Sequence, residues 1–98
     1  MNDEQLARSL QSIGMGCFTK YFEAFSNGNI SNDDLIDALM KIEGYEETGV
    51  RTRVTQSRRI INNNRSIDAL KLVTTSNRAE PWAISKAQLL ITQLSQEN

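Results

Sequence analysis

The chain has 98 residues, with 11 basic against 12 acidic side chains, no His, one Cys and one Pro. That length supports one modest core and no second domain, and the apolar content lies well above the disordered range. Without His, and with a single Cys, the chain alone builds neither a Ser-His-Asp or Cys-His site nor a tetrahedral zinc or iron–sulfur site. The lone Cys17 has no intramolecular disulfide partner, which fits a reducing, cytoplasmic compartment. Acidic Asp3 and Glu4 near the start do not read as a signal peptide, and no run of about 18 apolar residues predicts a membrane span.

Asn2 or Asp3 can cap a first helix, in which Leu6, Leu10, Ile13, Cys17 and Tyr21 recur at helical spacing and Phe18, Phe22 and Phe25 widen the stripe. Gly14-Met15-Gly16 interrupts it. Two glycines so close together predict either a bend or a break into two shorter helices. Ser26-Asn27-Gly28-Asn29 is a stop and turn. The pattern Ile30-Ser31-Asn32-Asp33-Asp34-Leu35 then predicts a second start: Ser31 and Asp34 form a reciprocal capping box, and Ile30 and Leu35 a hydrophobic staple. Leu35, Leu39 and Ile42 should line its inner face, widened by Ile36, Ala38 and Met40, and the helix should stop near Gly44.

Thr48 or Thr52 is the expected cap of a third helix with Val50, Val54 and Ile61 inward; its β-branched residues also permit a strand over 50–55. Asn62-Asn63-Asn64 ends it. Ser66 is the expected cap of a fourth helix with Ile67, Leu70 and Val73 inward, and Ala69 and Leu72 adding apolar area. Pro81 suits the first turn of a last helix, with Ala83, Ala87, Leu90 and Leu94 as its stripe and a frayed tail from Thr92 to Asn98. The whole reads as a single all-α domain over residues 1–98. It should be a small bundle of four or five short helices with antiparallel neighbours around one core.

Charge is strongly segregated. Residues 1–49 hold three cations against nine carboxylates, a net −6, whereas residues 50–79 hold seven cations against Asp68, a net +6. Arg51, Arg53, Arg58, Arg59, Asn63 and Arg65 are therefore the candidate macromolecule-binding residues. They can follow a phosphate backbone, or they can face Asp33, Asp37, Glu43, Glu46 and Glu47 or an acidic protein. The near-neutral total favours protein, with a small nucleic-acid-associated regulator as the alternative. Trp82, Ile84, Leu89 and Ile91 widen the last helix beyond what one neighbour covers, making them the candidate self-association surface of a homodimer.

Patterns that carry chemistry are weak. Gly28 followed by Ile30 resembles the centre of a calcium loop, but Glu23, Phe25, Asn27 and Asp34 fall at the ligand positions, and Phe25 offers no ligand oxygen. Asp33, Asp34 and Asp37 are explained by helix capping, and Cys17 by its place on the apolar stripe. The expectation is a non-enzymatic protein-interaction or modulatory domain, acting without cofactor, metal or membrane.

Overall fold

The computed structural model describes residues 1–96. Among them the chain forms seven helices and no strand: α1 (Asp3–Ile13), α2 (Met15–Lys20), α3 (Phe22–Ser26), α4 (Asn32–Glu43), α5 (Glu47–Asn62), α6 (Ser66–Thr75) and α7 (Pro81–Gln96). The all-α bundle follows the apolar periodicity. The helix count exceeds the expected four or five because the first segment breaks twice, at Gly14 and at Tyr21.

Gly14 has φ +90° and ψ 129°, outside the region open to ordinary L-residues, so the glycine pair produces a true break. The second interruption, at Tyr21 with φ −108° and ψ 20°, has no glycine to announce it. α1 starts with a reciprocal box in which Gln5 N donates to Asn2 Oδ1 at 2.8 Å and Asn2 N donates to Gln5 Oε1 at 3.0 Å. At α4, Ser31 Oγ accepts from Asp34 N at 3.1 Å as expected, but no return bond from Asp34 forms among the described residues. α4 ends at Gly44 in the left-handed conformation, φ +70°.

Two other helix starts differ from expectation. The cap of α5 is Glu46 and that of α6 is Arg65, neither with a side-chain bond; Thr48 and Ser66 lie inside the helices that they were expected to cap. α7 runs through Gln96, and residues 97–98 of the expected tail lie outside the described residues.

α5 is the central element, with α1, α3 and α4 packed on it, while α6 and α2 pack on α7. Val50, Val54, Ser57 and Ile60 form its buried face, leaving Ile61 only half-covered. In α4 the buried arc runs through Leu35, Ile36 and Leu39, which turns Ile42 out to 64% exposure. Leu72 is likewise exposed, and Ile67 is half-buried. A single cluster of buried apolar residues, including Leu6, Ile13, Phe18, Phe25, Val54, Leu70 and Ala87, joins the helices.

The two glycine environments give opposite predictions. Gly14→Ala should destabilise by about 1–3 kcal/mol, because it adopts positive φ and its new Cβ lies 3.2 Å from Arg53 Nη1. Gly49→Ala, inside α5 with open space around the added atom, should stabilise by roughly 0.5–1 kcal/mol. Denaturant melts of the two variants measure both; equal effects of the same sign would remove Gly14 as an obligatory break.

Candidate functional site

A helix that ends inside a fold leaves carbonyl oxygens without intrahelical partners. The Gly14 break and the turn after Ser26 leave such ends beside α5, and α5 carries four arginines. Arg53 Nη1 donates to the Ile13 carbonyl at the end of α1, and its guanidinium lies 4.3 Å from the centroid of the Tyr45 ring. Arg58 donates from Nε to the Phe25 carbonyl at 3.3 Å, from Nη2 to the Asn27 carbonyl at 2.9 Å and from Nη1 to Asn32 Oδ1 at 2.8 Å. One side chain thus fastens the end of α3, the following turn and the start of α4.

Arg65 has a similar role at the N-terminus. It donates to the Met1 carbonyl at 2.6 Å and pairs with Asp3 at 2.5 Å and Asp68 at 2.8 Å. These carboxylates raise its already high pKa further. Asn63 Nδ2 donates to the Arg59 carbonyl at 2.7 Å, closing α5. Of the six candidate macromolecule-binding residues, Arg53, Arg58, Arg65 and Asn63 are therefore committed to backbone or ion-pair partners within the chain. Arg51 pairs with Glu47 one turn away at 3.3 Å. Arg59 is exposed and makes no ion pair among the described residues; with Arg8 it borders a polar groove of about 260 Å³ between α1 and α5. The structure does not bring the six into one stripe.

Glu43 takes Lys20 and Tyr21 as partners instead of an arginine. Its Oε1 accepts from Lys20 Nζ at 2.9 Å and from the Tyr21 hydroxyl. The Tyr21 bond, then that of Lys20, holds the Glu43 carboxyl below the usual range. Burial, then the carboxylate it donates to, pushes Tyr21 up. Cys17 is buried in the core, and desolvation pushes its thiol up despite the neighbouring Arg53. Of the residues considered for a calcium loop, Phe25 is buried in the core and Glu23 pairs with Lys86 at 3.0 Å. No group of three or more Cys, Asp or Glu side chains is gathered for a metal among the described residues. No helix there is long and apolar enough to cross a membrane.

The four candidate self-association residues divide between two sides of α7. At about 100° per residue, Trp82 and Leu89 share one flank of the buried Ala83, Ala87, Leu90 stripe, and Ile84 and Ile91 share the other. Trp82 and Leu89 are exposed, at 44% and 56%, whereas Ile84 and Ile91 are half-buried.

On the Trp82 flank lies a feature that periodicity alone did not indicate. A cleft of about 500 Å³ opens between the α1–α2 break and the α6–α7 corner, with Ala7, Met15, Ala79, Trp82 and Ala83 in its mainly apolar lining. The indole lies against α2 at Gly16, where an added Cβ would sit 3.7 Å from the ring, in ordinary van der Waals contact. Trp82 Nε1 donates to Glu80 Oε2 at 2.6 Å, which orients the ring. The sequence signals for this cleft were the Gly14-Met15-Gly16 break and small residues on facing helices. No family model, curated protein or solved structure matches the chain.

Adjacent arginines should separate sharply. Arg58→Ala should cost about 1–3 kcal/mol, since it leaves two carbonyls and an amide without their donor. Arg59→Ala, on an exposed side chain, should stay within about 0.5 kcal/mol. Similar denaturation midpoints for the two variants would remove Arg58 as a clamp.

The Glu43 cluster has a pH signature. A carboxyl with a depressed folded-state pKa contributes stability above its unfolded pKa, and that contribution disappears as pH falls through the folded value. Tyr21, raised in the folded state, contributes below its unfolded pKa and loses that contribution as pH rises past the folded one. Glu43→Gln should therefore be less stable than wild type at neutral pH and converge on it in acid. Parallel denaturation curves at every pH would exclude the linkage.

Proposed function

We propose that the chain is a small non-enzymatic protein-interaction module that binds a macromolecular partner through the α7 side of its helical surface. The observation that carries this reading is Trp82, an aromatic left 44% exposed over an apolar cleft between three parts of the fold. Half-exposed aromatics beside a concave apolar surface are frequent binding anchors. The buried, raised-pKa Cys17 supports a binding role over a nucleophilic one. A cytoplasmic setting accords with its unpaired thiol.

The arginine segment gives less support. Electrostatic binding to nucleic acid needs guanidiniums free to meet phosphates, and Arg53, Arg58 and Arg65 already meet carbonyls and carboxylates of their own chain. Self-association through Trp82 and Leu89 is the form this module takes if the partner is a second copy; Ile84 and Ile91 would lie on the far side of that contact.

The reading is tested by immobilising the full chain, passing a native extract before and after nuclease treatment, and comparing wild type with Trp82→Ser and Arg59→Glu. The expected result is protein retained by wild type and Arg59→Glu, insensitive to nuclease and lost with Trp82→Ser. Arg59 is chosen because altering Arg58 would disturb the fold. Retention lost on nuclease treatment and with Arg59→Glu, accompanied by salt-sensitive binding to unrelated DNA and RNA at about 50 mM salt, would make nucleic acid the partner.

A further inference from the structure

We infer that the polar groove between α1 and α5 binds the phosphate group of a small molecule, held by the Arg59 guanidinium and the side-chain amides of Gln5 and Gln56. The site is separate from the α7 surface and does not depend on the reading proposed for it. Three observations carry it.

The first is a lining made of donors. Gln5, Arg8, Ser9, Ser12, Gln56 and Arg59 line the groove, and no carboxylate is among them. Both glutamines have their side-chain oxygen engaged within the chain: Gln5 Oε1 accepts from Asn2 N at 3.0 Å, and Gln56 Oε1 accepts from the hydroxyl of the buried Ser9 at 2.9 Å. In each amide Nε2 is therefore the atom left without a partner among the described residues. Ser12 spends its hydroxyl proton on the Arg8 carbonyl. What the groove offers a ligand is mainly N–H, and the group that answers N–H from several sides is an oxyanion.

The second is charge. Arg59 is exposed, and its guanidinium makes neither an ion pair nor a hydrogen bond among the described residues. Glu4 pairs with Arg8 at 2.5 Å and offsets its charge, while Asp3, the other carboxylate of α1, pairs with Arg65. The uncompensated charge in the lining is that of Arg59.

The third is the placement of the donors on both walls. Gln5 and Arg8 belong to α1, Gln56 and Arg59 to α5. A phosphate group presents oxygens in three directions and accepts from both walls at once, whereas the oxygens of a carboxylate lie in one plane. At about 260 Å³ the groove also has room for a small ester body beside the phosphate. A nucleic-acid backbone needs a succession of free cations, and Arg53, Arg58 and Arg65 are committed to carbonyls and carboxylates of their own chain. One free guanidinium suits one phosphate group.

The experiment titrates the nitrogen-labelled full chain with inorganic phosphate and, separately, with glycerol phosphate, at an ionic strength held constant with chloride, and follows the side-chain N–H signals of Gln5, Gln56 and Arg59. Saturable shifts of these signals are expected. Arg59→Ala should weaken binding by about tenfold or more without moving the melting midpoint. Gln56→Glu keeps an acceptor for Ser9 but replaces the amide donor by a carboxylate, and should abolish saturation. Glu4→Gln, which releases Arg8, should tighten binding severalfold; Glu47→Gln, the same charge change at the Arg51 pair outside the groove, should leave it unaltered.

Tighter binding of the ester than of inorganic phosphate would identify a phosphorylated metabolite as the source of the group, and the reverse order would identify free phosphate; either supports the site. Shifts that do not saturate, shifts that chloride reproduces, or equal binding by wild type, Arg59→Ala and Gln56→Glu would overturn it. Acetate bound as tightly as phosphate would overturn the phosphate in favour of a carboxylate. Salt-sensitive binding of unrelated DNA or RNA far tighter than of either phosphate, lost with Arg59→Ala, would overturn the small ligand in favour of nucleic acid. Trp82→Ser should bind phosphate as wild type does, so failure of this site leaves the α7 reading untouched.

Discussion

The carbonyl oxygens at the ends of α1 and α3 are the constraint around which the N-terminal half is arranged. Each helix stops against α5, where water has limited access, and a buried acceptor left unpaired costs about 1–3 kcal/mol. A guanidinium suits this task because it holds five donors in a rigid plane and keeps its charge. Arg53 and Arg58 supply those donors, so three short helices can wrap one long one without leaving these ends unpaired. The stacking of Tyr45 on Arg53 and the bond from Arg58 to Asn32 extend the same two side chains to both ends of α4.

Seen from these contacts, the opposed charges of the two halves of the sequence have a partly internal explanation. A segment with a net charge of +6 looks like a surface made for a polyanion when only side chains are counted. Half of the bonds that its arginine side chains make go to main-chain oxygens, which carry no formal charge and so do not figure in that count. The acidic half is correspondingly left with exposed carboxylates, among them Asp33, Asp37 and Glu46, that no arginine of the chain neutralises.

The sequence was most legible where one residue type has one strong local use. Ser31 accepting from Asp34 N, Gly44 in the left-handed conformation and Pro81 opening α7 are of this kind. So was the α7 stripe of Ala83, Ala87 and Leu90, with the expected fourth member Leu94 only partly buried. Legibility failed where neighbours decide. Tyr21 breaks a helix with no glycine or proline, at a position where its hydroxyl reaches Glu43 on α4. Ile42 continues the α4 period but lies past the edge of its buried arc. In α5 the buried face drifts round the axis from Val50 to Ile60, so a fixed stripe selected Ile61 instead. Thr48 and Ser66 had the right chemistry for caps, but each helix begins at or before that residue.

The cleft follows from the same break that required Arg53. A continuous helix through Gly14 would carry Met15 and Gly16 along the α1 axis. With the chain turning at φ +90°, they instead open α2, where Gly16 meets the Trp82 indole. The turn separates α1 from the α6–α7 corner, and the residues left facing the gap are small: Ala7, Ala79 and Ala83. Filling it from within would take larger side chains at these positions, and the chain instead places a half-exposed tryptophan beside them. Arg53 stabilises the break from the α5 side while the opposite side remains open, so one backbone turn links the internal arginine clamp to the outward-facing apolar surface.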